Sequence, residues 1–215
     1  MAFPGTKISV ILCIRLICAM ALTASAQTWN EGDLVFVIPH DANAITAVTE
    51  SRGGEKLNSQ LSTLNTPDHV AIAHYIGGVV PYVIEAAPDH GVCLTPVDSF
   101  QIRHNDDALR AARVTADVDV RRSVANALRH VGKPYDDIFA DNDTAFYCSE
   151  LIQKSFVNHS GQRIFDPIPM SFRDTQGNIP DFWRNHYRQR NLPIPEGEPG
   201  SNPAALLQHP AVSLY

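Results

Sequence analysis

Cys148, in the stretch FYCSELIQKSF (146–156), heads a stripe of Cys148, Leu151, Ile152, Ser155 and Phe156 at spacings of three and four. That periodicity predicts a helix whose inward face begins with a thiol in the first turn. Two kinds of chemistry are open there. Free cysteine is among the most buried residue types, so a core thiol explains the stripe by itself. The positive end of a helix dipole also favours the thiolate, which turns a poor nucleophile into a good one. The helix pattern alone does not choose between them.

A thiolate nucleophile needs a base, and the base needs a group to orient it. The chain has nine histidines, so residue type selects nothing. Geometry selects better. HVAIAHYI (69–76) and YVIEAA (82–87) flank GGVVP, and a hairpin centred on Gly77 sets His69 directly opposite Glu85. Directly opposed residues share a face, with Cβ atoms about 5 Å apart, which suits an imidazole held by a carboxylate. His74 points to the other face by strand alternation, and His90 sits in the PDHG turn. A plain polar cross-strand pair is the alternative for His69 and Glu85.

Cys93 bears on the same question. A second hairpin turning about the Asp89–His90 bond sets Leu94 opposite Glu85, and Cys93 opposite Ala86 on the reverse face. In that register Cys93 cannot reach a sulfur near His69, although a one-residue slip would undo this. Metal binding is disfavoured: no H-x-x-x-H or C-x-x-C spacing occurs, and His69, Glu85 and Cys148 form a scattered ligand set. No metal and no cofactor are expected.

The elements that must position these residues follow from pattern. GDLVFVI (32–38) is a short apolar strand, and ANAITAVTESR after it suits one or two helical turns. Residues 53–68 turn polar and read as a loop. The runs at 69–76, 82–87 and 91–97 are β-branched and apolar between turn residues, an antiparallel meander. ALRAARV (108–114) is expected as a further strand. DVRRSVANALRHV (119–131) has helical spacing and stops at Gly132 and Pro134. The cysteine helix is expected to run from Cys148 to about 158–161. The tail is rich in Pro, Gly and Asn, with DFWRNHYRQR its only plausible helical turn.

Residues 1–26 read as a secretory signal peptide: Lys7, a largely apolar run at 8–22, and Ala24 and Ala26 in an A-x-A arrangement. Arg15 interrupts the apolar run, which falls short of a bilayer span. Cys13 and Cys18 leave with the signal, so the expected mature chain, 27–215, is a single exported domain, periplasmic or extracellular, carrying only Cys93 and Cys148. In that compartment a disulfide between them is a serious alternative. The formal net charge of −6 disfavours nucleic acid and gives no polybasic membrane patch.

Taken in order, GDL, HVAI, VIEA, GVCLTPVDSF, GKPYDDIF, YCSELI and PGSNPAAL resemble the YiiX/YebB-like family of permuted papain-like, NlpC-type cysteine hydrolases, from about Gly32 to Leu206. The resemblance implies an α+β, circularly permuted papain-like fold: an antiparallel sheet or partial barrel packed against the cysteine-bearing helix, with the histidine strand first. It implies Cys148 as nucleophile, His69 as general base, Glu85 as its orienting residue, and Tyr135 near the active site, where a phenol can help stabilise an oxyanion. Ala71 stands where the family more often has glycine, and Asp68 precedes the histidine. Glu150 reads as an exposed i, i+4 partner of Lys154. The function expected is hydrolysis through an acyl-enzyme, on a small peptide or amide of cell-wall type, or alternatively on a lipid or thioester acyl group. A binding domain that keeps the fold without catalysis is the rival from another class.

Overall fold

The computed structural model describes residues 29–41, 43, 45–46 and 66–215. The expected signal peptide and most of the expected polar loop lie outside these residues, and of the helical turns expected after the first strand only part of a turn, at Ile45 and Thr46, lies within them. The elements in chain order are β1 (Leu34–Ile38), β2 (His69–Ile76), β3 (Val80–Ala87), β4 (Gly91–Pro96), α1 (Val97–Arg103), β5 (Ala108–Val114) and α2 (Val120–Leu128). They are followed by α3 (Cys148–Ser155), β6 (Ile168–Pro169), α4 (Asp181–Gln189), β7 (Pro199–Gly200), α5 (Pro203–Leu207) and β8 (Val212–Leu214).

One six-stranded sheet, in the order β4-β3-β2-β1-β5-β8, is antiparallel throughout. It is open, with β4 and β8 at its edges, and β6 and β7 form a separate ribbon. LVFVI of β1 is apolar at every position because both faces of the sheet are covered there. On one face Phe36, Val70, Ile72, Ile84 and Val92 pack with Val124 and Ala127 of α2 and with Cys148, Leu151 and Ile152 of α3. On the other, Val35, Val37, Ala71, Ala73 and Val83 pack with Trp29 and with Phe100 of α1. No helix among the described residues is long and apolar enough to cross a membrane.

Both hairpins turn differently from expectation. Each has a three-residue loop, the first centred on Gly78 rather than Gly77 and the second on Asp89 rather than on the Asp89–His90 bond. Ile76 pairs with Val80 across Gly77, Gly78 and Val79, so Ile72 pairs with Ile84, and the same register sets Glu85 opposite Ala71. His69 and Glu85 are therefore diagonal rather than directly opposed, but the shift keeps them on one face. Ala87 pairs with Gly91, which brings Cys93 directly opposite Glu85. That one-residue slip reverses the face expected for Cys93. Gly91 has φ 66°, and a Cβ there would stand 2.2 Å from the Lys133 carbonyl oxygen, so glycine is required.

Two helices end early. α2 stops at Leu128, and α3 stops at Ser155 because Phe156 already has extended backbone, φ −79° and ψ 122°. DFWRNHYRQR does form α4, but it is not the tail's only helix. Asn202 caps α5, accepting from the Ala205 N–H at 2.7 Å, with Pro203 in the first turn. Helix α1, which begins at Val97 where the expected strand ends, has no counterpart in the sequence pattern.

Candidate active site

His69 is the first residue of β2, and alternation turns its ring to the α1 face. There its Nε2 donates to Glu85 Oε2 at 2.8 Å. Glu85 is wholly buried. Its other oxygen, Oε1, accepts from the Thr95 hydroxyl at 2.6 Å and from the Arg103 guanidinium. Phe100 lies under the imidazole at 6.3 Å between ring centroids, and His104 stacks on it at 6.0 Å with an interplanar angle of 20°. The last turn of α1 and the residue after it thus supply Arg103 and His104 to one corner of the sheet.

Cys148 arrives from the opposite face. It is the first residue of α3, with Tyr147 as N-cap, and it is buried among Leu151, Ile152 and Phe146. The two halves meet past the end of β2. The Cys148 Sγ is 4.0 Å from the carbonyl oxygen of Asp68, the residue before His69, and Cys148 is among the groups that raise the His69 imidazole. Because Glu85 takes Nε2, Nδ1 is the nitrogen left for sulfur. The sequence places these residues on one face of a hairpin; the structure joins two faces around a strand end. Cys93, now on the side of Glu85, rests 3.6 Å from the Thr95 hydroxyl, and both cysteines are free thiols.

The electrostatics follow from burial and pairing. Burial alone pushes an imidazole down, but the hydrogen bonds of His69 to Cys148 and Glu85 and their negative charges outweigh it, holding the ring up at about 10. Burial pushes Glu85 up, and His69, Thr95 and Arg103 together overcome this and hold its carboxyl down at about 2. Burial raises the Asp68 carboxyl against a hydrogen bond from Asn43 and the charge of His69. Burial likewise pushes the Tyr135 phenol well above its usual range, and the negative charge of Cys148 pushes it further.

A pocket opens beside Cys148 and is walled by Tyr135, Phe139, Tyr147, Met170 and Phe172, with Asp68 and Ser201 among its polar members. No lysine or arginine lines it among the described residues. The tail supplies Met170, Phe172, Ser201 and Pro203 to the pocket wall. From the expected loop at 53–68, the described part contributes Asp68.

Glu150 differs from its expected exposed position. It is buried at the third position of α3, where its Oε1 pairs with Lys154 and its Oε2 has no hydrogen-bond partner. Burial lifts it to about 7 despite its ion pair with Lys154 at 2.9 Å. Lys154 Nζ also reaches Asp141 at 3.0 Å, Asp143 at 3.1 Å and the Asn142 carbonyl at 2.6 Å. It therefore ties the 136–146 loop, which carries Phe139 to the pocket, onto α3.

Thr95, Arg103 and His104 are the members that sequence reasoning missed. Arg103 carried a weak signal, since a buried carboxylate requires a counter-charge beyond one imidazole. Nothing in the pattern showed that α1 would supply it.

A family model described as permuted papain-like amidase enzyme, YaeF/YiiX, C92 family, matches residues 28–214. The protein named "Uncharacterized protein YiiX" of Escherichia coli strain K12 is 29% identical over 155 residues, covering 69% of this chain and 69% of that protein. The crystal structure described as metalloprotein yiiX from Escherichia coli O157:H7 superposes with a TM-score of 0.66 at 23% identity. It covers 86% of this chain and 96% of that one, a likeness of fold.

Proposed function

The chain belongs to the C92 family of permuted papain-like amidases, cysteine hydrolases by description, and we propose that Cys148, His69 and Glu85 form its catalytic triad. The observation that carries the reading is the His69 ring held at 2.8 Å by a buried Glu85, with the Cys148 Sγ brought to 4.0 Å from the carbonyl oxygen of the residue before it. In this reading His69 holds the thiol proton and the thiolate attacks an acyl carbon. The tetrahedral intermediate collapses with the amine leaving on the proton from His69, and a thioester remains on Cys148. Water then gives a proton to His69 and attacks the thioester carbon, and the sulfur leaves as thiolate. The first N–H groups of α3, which lack intrahelical acceptors, and the Tyr135 phenol are the donors available to the oxyanion.

The amidase description supports an amide or peptide bond as target. The signal-like first 26 residues support export, and together they make cell-wall peptides the first substrates to test. The pocket lining supports a second reading. Phe139, Tyr147, Met170 and Phe172 offer apolar wall and no cation among the described residues, which suits an uncharged acyl group on an ester or thioester. Intact-mass analysis after exposure to a panel of cell-wall peptides, acyl esters and acyl thioesters tests both. An adduct mapped to Cys148 is expected, and the probe that leaves it selects the substrate class. A chain that forms no adduct with any of them overturns the hydrolase reading.

The related crystal structure is described as that of a metalloprotein. Among the described residues here, no group of three His, Cys, Asp or Glu is placed to hold a metal ion. The Glu85 oxygens and His69 Nε2 are already engaged with each other, Thr95 and Arg103. The donor set does not fit a metal, and no step is routed through one.

A further inference from the structure

We propose that Arg103 is a positioning residue for the second half of the reaction: it supplies the counter-charge that keeps Glu85 ionised once Cys148 has been acylated. The inference rests on the triad reading above. Once His69 has taken the thiol proton, as the triad reading has it, the charges alternate from sulfur to imidazolium to Glu85 carboxylate to the Arg103 guanidinium. Glu85 then has a cation on each side, and either suffices.

Acylation removes that redundancy. The thioester sulfur is neutral, and His69 must lose its proton before it can act as the base for water. Glu85 is then a wholly buried carboxylate with one cation left, the guanidinium on Oε1. The titratable and charged groups that face Glu85 are His69 from β2, Cys93 from β4 and Arg103 from α1; Thr95 adds a neutral hydroxyl. Only Arg103 is a cation throughout the cycle, since a guanidinium does not deprotonate in proteins. Without it, burial drives the carboxylate to recover a proton, directly or by retaining the one on His69. Either outcome leaves the pair unable to take a proton from water.

The placement of Arg103 fits this role. Its guanidinium lies 5.6 Å from the Phe100 ring centroid, so the ring that supports the imidazole also supports the counter-charge. Thr95 shares Oε1 but carries no charge, so it can orient the carboxylate without supporting its ionisation.

The test uses p-nitrophenyl butyrate, whose phenolate leaves without needing a proton, so that its burst reads acylation and its steady phase reads deacylation. Arg103→Met is expected to keep the burst rate within about twofold and to slow the steady phase about tenfold. Butyryl-Cys148 accumulates, and the acid edge of deacylation moves to higher pH. Arg103→Lys, which retains charge, recovers most of the lost rate. Thr95→Val slows both phases alike, and an unchanged circular dichroism spectrum shows that each variant is folded. Equal loss of both phases in Arg103→Met, an unmoved acid edge, or a lysine variant no better than methionine overturns the role of Arg103. A wild-type protein that never acylates Cys148 overturns the triad itself, which separates the two failures.

Discussion

On the α3 face of the sheet, Cys148 belongs to an apolar cluster with Leu151, Ile152, Phe146 and Ile72; on the α1 face, His69 and Glu85 belong to a series of hydrogen bonds closed by Thr95 and Arg103. The nucleophile is positioned by packing and the dyad by charge. Packing sets where a helix begins but adds little to the ionisation of its first side chain. Charge pairing sets a protonation state but needs a rigid strand to carry it. The site uses each face for what it can supply and joins them only at the end of β2. Damage to one face should therefore appear as lost stability, and damage to the other as lost chemistry.

The sharpest break is at the junction. Cys148→Ala is expected to remove turnover, by at least about 10⁴-fold, with an unchanged circular dichroism spectrum. His69→Ala should follow at about 10³-fold in kcat/KM. An unfolded Cys148→Ala protein would mean that the thiol serves the core.

Glu85→Gln comes next, with a loss of about 10- to 100-fold, because glutamine keeps the hydrogen bond to His69 but not the charge. The pH profile carries the sign. His69 holds its proton up to about 10, so its stabilising contribution is full below its ordinary 6.5 and disappears as pH rises through about 10. Glu85 is depressed to about 2, so its contribution is full above its ordinary 4.5 and disappears as pH falls toward 2. Thermal melts should therefore be flat for this pair only between 4.5 and 6.5, with stability declining from 6.5 toward about 10 and from 4.5 toward about 2, and the alkaline edge of activity should fall in Glu85→Gln. A stationary edge would separate the carboxylate from the imidazole.

On the packing face, Leu151→Ala should cost about 2–5 kcal/mol in urea unfolding while the activity of the folded fraction is kept. The smallest and most telling contrast is between the two thiols. Cys93 is half-buried with its pKa raised by burial, and Cys148 is the more buried of the two. Exposure alone predicts that iodoacetamide finds Cys93 first. The reverse order, with Cys148 alkylated first in the wild type and protected in His69→Ala, is expected if the imidazole ionises it.

The sequence made the strands, the nucleophile helix and the His69–Glu85 face legible because period-two and period-3.6 patterns survive small errors of register. A shift of two at Gly77 moved Glu85 along β3 but not through the sheet. The turn at Pro88–His90 was less forgiving, since a three-residue loop in place of a two-residue one sent Cys93 to the opposite face. Arg103 and His104 stayed hidden because α1 is short and begins where the expected strand at 91–97 ends, and Thr95 because nothing in β4 marks a partner for its hydroxyl. Their pairing with Glu85 is purely tertiary. Glu150 misled for a similar reason: its spacing to Lys154 is visible in sequence, but the loop that buries both is not.

Lys154 carries a consequence for how this protein can change. One side chain on the nucleophile's own helix holds the buried Glu150 and also anchors the loop that brings Phe139 to the pocket wall. Substrate range and nucleophile placement are thus inherited together. A substitution at position 154 that loosens the loop and admits a larger acyl group also releases the carboxylate at the start of α3. New specificities should be easier to reach through Met170 or Phe172, which line the same pocket from the tail without touching that clamp.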